Sequence, residues 1–323
     1  MPTKEETLAG EQLPLFDRSA QPASDEDRQA PKVTSRSSLH AAIAAFADHM
    51  QRVDFAENTV KSFLGDLSLL ERYLGDGVEI GSIATGDLRR FMQHLRHGRG
   101  VPCTPKSYSR RLTTLKVFFG WLAAANVLGH DPAAALVHEP AASPLPQVLY
   151  DEQVQRAIAA ARALFSDAKR PDPRPLFLFS LILQTGMKKS ECLALQFSHF
   201  DLSDPAAPAV FIRYKDPRRR HKERKVALDP SLPALLRAYV QAYRPRLALF
   251  PCTGRNLEYV LRRIAQSAGL EGGISFETLR WTCALRDYQS GMEPDRLRRK
   301  LGLSEIAWEE TRARIEALAA RPL

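Results

Sequence analysis

Apolar residues recur along most of this chain at the spacing of a buried helical stripe. Over residues 59–74, Val60, Phe63, Leu64, Leu67, Leu70, Tyr73 and Leu74 stand at i, i+3, i+4 and i+7, the pattern of a helix with one face in a core. Thr59 is the expected N-cap. The same period predicts helices over 38–50, 84–97 and 107–125. In the last of these Leu112, Leu115, Phe118, Phe119 and Leu122 form the stripe, and Lys106, Arg110, Arg111 and Lys116 lie beside it. Residues 1–37 show no such period and are rich in Pro, Ser, Asp, Glu and Gln, which predicts a disordered tail. A proline-rich joint over 139–148 reads as a hinge. The chain is thus expected to consist of a tail, a helical domain over 38–138, a linker, and a second domain over 149–323.

In the second domain the helical period returns over 151–164 and over the strongly apolar 175–184, which stops at Thr185-Gly186. Two short strand-like stretches, 209–214 and 225–228, are joined by a long connection and read as a hairpin. Helices are predicted over 231–244, 255–268, 275–290, 294–301 and 304–320. The fold class is therefore mainly α (α+β), a helical domain followed by a mixed α/β domain with one small antiparallel sheet.

The 323 residues, 44% hydrophobic and 26% charged, suit two globular domains. No apolar run reaches the roughly 18 residues of a membrane span, and the first residues lack the basic start and apolar stretch of a secretory signal. A cytoplasmic location without a membrane partner is expected. Cys103, Cys192, Cys252 and Cys283 lie far apart, so they are expected to be buried free thiols, and no metal or cofactor is implied. The net charge of +9 points to a polyanionic partner. Within 213–225, Arg213, Lys215, Arg218, Arg219, Arg220, Lys222, Arg224 and Lys225 form a cluster denser than a solvated helix face requires, which makes duplex DNA the expected partner. Arg110 and Arg111 are the candidates in the helical domain, with plain solubility as the alternative.

Seven segments, in order, resemble the tyrosine recombinase (phage integrase) family: NTVKSFLGDL at 58–67, YSRRLTTLKVFF at 108–119, LPQVL at 145–149, TGMKKSECLAL at 185–195, Tyr214-Lys215, FETLRW at 276–281 and LGLS at 301–304. The resemblance implies a SAM-like core-binding domain followed by a recombinase catalytic-type domain, the two closing around duplex DNA as a clamp. In that family a tyrosine attacks a backbone phosphorus. Two arginines stabilise the charge that develops there, a hairpin lysine protonates the leaving oxygen, and histidine or tryptophan completes the proton work.

Carried over by position, the resemblance puts Lys188 at the first arginine, where the charge is kept and the planar fork is lost. Lys215 takes the hairpin lysine's place, with Lys222 and Lys225 as alternatives. Arg280 keeps the second arginine. Glu277 replaces a histidine and is a candidate to pair with Lys188 or Arg280. Leu303 replaces the later histidine and Arg312 the tyrosine. Guanidinium stays protonated and is no nucleophile, and no tyrosine follows Tyr288. The resemblance therefore implies a member that has lost the nucleophile and most of the catalytic set; together with the basic cluster, the expected phosphate-binding residues are Lys188, Lys215, Arg218, Arg219, Arg220, Lys222, Arg224 and Arg280.

In the tail, Gln12, Leu13, Leu15 and Phe16 resemble the short peptides by which bacterial proteins dock on the replication sliding clamp, two apolar anchors with a register-setting amide. The expected function is duplex-DNA binding without cleavage, as an accessory or regulatory subunit beside an active tyrosine recombinase in DNA integration by mobile elements. The alternatives are a strand transferase with an unusual nucleophile, from Tyr288 or a partner chain, and a clamp-linked adaptor.

Overall fold

The computed structural model describes residues 33–100, 103–137 and 144–321; the clamp-like motif at 12–16 lies outside them. The chain divides into two compact units between Ser143 and Pro144.

The first unit is helical: α1 (Leu39–Arg52), α2 (Glu57–Leu74), α3 (Thr85–His97) and α4 (Pro105–Ala124). Ser38 caps α1 by accepting from the Ala41 N–H. Thr104 caps α4 by accepting from Ser107, with Pro105 in the first turn, where its missing N–H costs nothing. The expected cap at Thr59 is not used. The Ala56 carbonyl already accepts from Thr59 and Val60, so α2 begins at Glu57, whose carboxylate suits the helix N-terminus and pairs with Lys61. The predicted stripes meet in one core built around Phe46, Leu67, Leu70, Phe91, Phe118 and Phe119.

Inside that core Asp66 is 3% exposed. Arg110 pairs with it, Arg111 stands 3.4 Å from its second oxygen, and the Thr114 hydroxyl donates to it at 3.0 Å. A buried carboxylate requires such partners. The two arginines expected on a DNA surface are thus turned to a structural task, Arg111 being 13% exposed. The sequence spacing could not show this, because Asp66 comes from a helix more than 40 residues away.

The second unit carries α5 (Asp151–Phe165), α6 (Arg174–Thr185), α7 (Lys189–Leu193), β1 (Phe200–Asp201), β2 (Ala209–Ile212), β3 (Arg224–Ala227), α8 (Leu232–Tyr243), α9 (Gly254–Ser267), α10 (Phe276–Gln289), α11 (Pro294–Leu301) and α12 (Glu305–Ala319). The three strands form one antiparallel sheet in the order β1-β2-β3. Val210 lies opposite Val226 on its buried face and Phe211 opposite Lys225 on the other. Short α7 and two-residue β1 escaped the periodicity, which needs longer windows.

Helix α6 is apolar on nearly every side, with Leu176, Phe177, Leu178, Phe179, Leu181 and Ile182 buried. It packs against α5, α8, α9 and α10 and forms the axis of the larger core. It ends at Gly186, whose φ of +59° is left-handed, and a Cβ there would lie 2.9 Å from Leu301. Both backbone and packing demand glycine at this point. All four cysteines are free; Cys192 and Cys283 are buried, while Cys103 and Cys252 are only half-buried, short of the expected burial. No described helix is long and apolar enough to cross a membrane.

Candidate nucleic-acid interface

The turn after α6 positions two cations. Gly186 reverses the chain, and two residues later Lys188 caps α7, its backbone N–H donating to Glu191 at 2.8 Å. The carbonyl of Gly186 accepts from the Arg280 guanidinium, and Leu301 accepts from the other end of that group at 2.7 Å. Arg280 is thereby fixed between the end of α6 and the end of α11, 9% exposed. Fixed, partly desolvated cations bind anions without first paying to become ordered.

Lys188, Glu277, Arg280, Trp281, Leu303 and Thr311 line one cavity of about 230 Å³. Five of these are at or beside positions singled out in the sequence; Thr311 is new, and Arg312 is not there. Arg312 is exposed and donates to Glu316 at 2.8 Å, one turn on along α12. Tyr288 packs beside Ala284, Leu297 and Trp308 and is not a lining residue. Glu277 pairs with neither Lys188 nor Arg280. It accepts from the Trp281 indole at 2.8 Å, the i, i+4 neighbour that a helix places over it. The Lys188 ammonium has no hydrogen-bond or ion-pair partner among the described residues. Burial, then the Arg280 charge, lower its pKa, against the pull of Glu191; Lys222 and Arg224 add to the lowering.

The basic hairpin is ordered. Its connection contains a short 3-10 turn, Pro217–Lys222, capped by Asp216, which accepts from the Arg218 N–H. Lys215 and Arg220 are exposed, Arg218 and Arg219 share Asp216, and Lys222 is half-exposed. Lys225 points off the outer sheet face to Asp201 at 2.8 Å, and like Lys215 and Lys222 it does not line the pocket. Arg224 is likewise no surface contact. Its guanidinium is 7% exposed and forms a two-pronged pair with Glu191, at 3.1 and 2.9 Å, while its Nε donates to the Lys300 carbonyl at 2.7 Å. The Tyr214 hydroxyl donates to the same carboxylate. Burial alone would raise the Glu191 pKa, but Arg224 and Tyr214 outweigh it and the group is held below the usual carboxylate range. Glu191 therefore joins both ends of the hairpin to the helix that carries Lys188.

Comparison with known proteins settles the family. Residues 43–126 match the phage integrase N-terminal SAM-like domain, and residues 147–310 match the phage integrase family. The chain belongs to the phage integrase family of tyrosine recombinases. Tyrosine recombinase XerD of Rhizobium meliloti (strain 1021) is 30% identical over 268 residues, covering 78% of this chain and 83% of that one. Tyrosine recombinase XerC of Lactobacillus delbrueckii subsp. bulgaricus is 24% identical over 78% of this chain and 86% of its own. Among solved structures, the XerH site-specific recombinase bound to a palindromic difH substrate superposes with a TM-score of 0.67 at 17% identity, covering 87% of this chain and 82% of that one. A lambda integrase dimer bound to a COC′ core site gives 0.65 at 15%, covering 85% and 77%. These likenesses carry the recombinase fold, SAM-like domain and small sheet included. The family match ends at residue 310, two residues short of Arg312.

The structure also adds a surface that the sequence did not suggest. On α9, Leu257, Val260, Leu261, Ile264 and Ala265 are buried, leaving Arg255, Asn256, Tyr259, Arg262, Arg263 and Gln266 outside. Arg255 and Arg262 stand against the Tyr259 ring, 5.6 and 5.1 Å from its centroid. Lys189 of α7 pairs with Glu258 at 2.6 Å, which removes the acidic charge of this face and ties it to the Lys188 turn. Arg, Asn and Gln are the side chains that read base edges. The helical period at 255–268 marks these positions as the exposed side of an amphipathic helix.

Proposed function

We propose that this recombinase-family protein grips duplex DNA through Lys188, Arg280, the hairpin cations Lys215, Arg218, Arg219, Arg220 and Lys222, and the outer face of α9, and that it does not cleave by the family's phosphotyrosyl route. One observation carries the second half: the pocket that holds Lys188 and Arg280 is lined by no tyrosine, and Arg312, which the family resemblance puts at the nucleophile's place, is exposed and paired with Glu316. Thr311 offers the pocket's hydroxyl, and that hydroxyl donates to the Ala307 carbonyl at 2.7 Å. Leu303 and Glu277 stand where proton-handling histidines would be needed. What remains suits binding, since a lysine still attracts a phosphate as a point charge.

A member of a family of DNA recombinases that grips DNA without phosphotyrosyl cleavage serves as an architectural or regulatory subunit beside an active recombinase, in the compartment that holds the DNA. The relatives named XerD and XerC support recombination as the setting. Replacement of Arg218, Arg219 and Arg220 by Ala tests the grip. Each lost phosphate contact should reduce the slope of log affinity against log salt by about 0.9. A slope unchanged in a fluorescence-anisotropy salt titration would remove the hairpin from the interface.

A further inference from the structure

The Lys188 cavity brings an amine, a carboxylate and a guanidinium together, and phosphate binding uses only part of that set. The amine has no hydrogen-bond or ion-pair partner among the described residues, and its surroundings favour the neutral form, through burial first and then the Arg280 charge. A neutral lysine amine is a nucleophile toward carbonyl carbon. Glu277 gives one oxygen, Oε1, to Trp281 and keeps Oε2 free of hydrogen bonds among the described residues, so a carboxylate base faces the same cavity. Arg280 is held rigidly by two backbone carbonyls and offers its charge to a leaving phosphate. The cavity, about 230 Å³, lies just below the roughly 300 to 1,000 Å³ of drug-sized ligand sites. A lone sugar without its base is a better match for it. On a DNA backbone, a carbonyl next to a phosphate is the C1′ aldehyde of an abasic deoxyribose.

We propose that this pocket takes an abasic deoxyribose of duplex DNA, with Lys188 forming an imine at C1′ and Glu277 removing the C2′ proton. This rests on the reading that the pocket receives the DNA backbone. The neutral amine's lone pair adds to C1′; the carbonyl oxygen takes one proton from the nitrogen and one from solvent and leaves as water, and a protonated imine results. Glu277 takes the C2′ proton, the electrons of that C–H bond form a C–C double bond, and the C3′–O3′ bond breaks with its electron pair staying on the phosphate oxygen. The strand ends in a 5′-phosphate on one side and an unsaturated imine on the other. Water hydrolyses that imine and returns Lys188. Nothing is oxidised or reduced, and this route needs no tyrosine.

The test uses the full-length chain with a duplex carrying one abasic site, beside the same duplex intact. Sodium borohydride reduces an imine to a stable amine, and peptide mass spectrometry locates the attached lysine. The adduct should form on the abasic duplex alone and map to Lys188. Lys188→Arg should abolish it, measured per mole of bound DNA. Glu277→Gln should keep the trapped adduct while strand cleavage falls about 100-fold or more, the loss of a general base. An adduct mapped to Lys215, Lys222 or the chain N-terminus overturns the proposal. So does duplex binding without any adduct, which leaves the DNA-binding reading intact. Failure to bind either duplex overturns that reading as well.

Discussion

Glu191 ties both sides of the hairpin to the turn that carries Lys188. It is 1% exposed on its side chain and has Arg224, Tyr214 and the Lys188 N–H as partners. Removing one member of a buried pair leaves the other charge uncompensated, so Glu191→Gln should cost about 3 to 5 kcal/mol of unfolding free energy in urea. The pH dependence has a definite sign. Because the folded carboxyl sits below its unfolded pKa, its contribution is complete above the unfolded carboxylate range and is lost as pH falls through the folded value. The variant should lack that part of the acid limb; identical acid limbs in both proteins would mean the pair adds no stability. At this scale the sequence was a partial guide. It pointed to Lys188, Glu277, Arg280 and Leu303, which share one cavity, because the segments around them are distinctive. It did not show that Arg110, Arg111 and Arg224 turn to the buried carboxylates Asp66 and Glu191, since a cluster of like residues in sequence does not say which of them meets a distant acid.

The helices were legible wherever a long apolar stripe met a core, as in α2, α4 and α6. Short elements were not, because five residues of α7 carry no period, and yet Lys188 is the residue that caps it. Helix α9 shows the converse: its boundaries followed from its stripe, but the DNA contact proposed for it lies in the exposed residues, which periodicity treats as filler. If Arg255 and Arg262 read base edges, Arg255→Ala should weaken binding to a preferred site by about 1 to 3 kcal/mol and relax sequence choice at one position. Selection of bound sequences from a random library, with wild type and variant side by side, checks this. Equal loss on all sequences would make Arg255 a phosphate contact instead.

At the scale of the whole molecule, the family was readable because seven weak segments fell in the right order, though no single one would have sufficed. The tail is different: residues 12–16 have no described structure, so docking on a replication clamp remains a proposal carried by side-chain chemistry alone. A peptide of residues 8–20 should bind purified bacterial clamp in the micromolar range, about 8 kcal/mol, and Leu15→Ala with Phe16→Ala should abolish it. Equal binding by both peptides in calorimetry would remove the clamp as a partner. The central claim is DNA binding with the phosphotyrosyl chemistry lost. Its most direct measurement is incubation of wild type and Arg312→Tyr with nicked suicide substrates of intact candidate sites, followed by denaturing electrophoresis for protein covalently joined to DNA. Duplex binding without adduct in either protein is expected, since the single change leaves Lys188, Glu277 and Leu303 in place; a covalent adduct on the wild-type chain would contradict it.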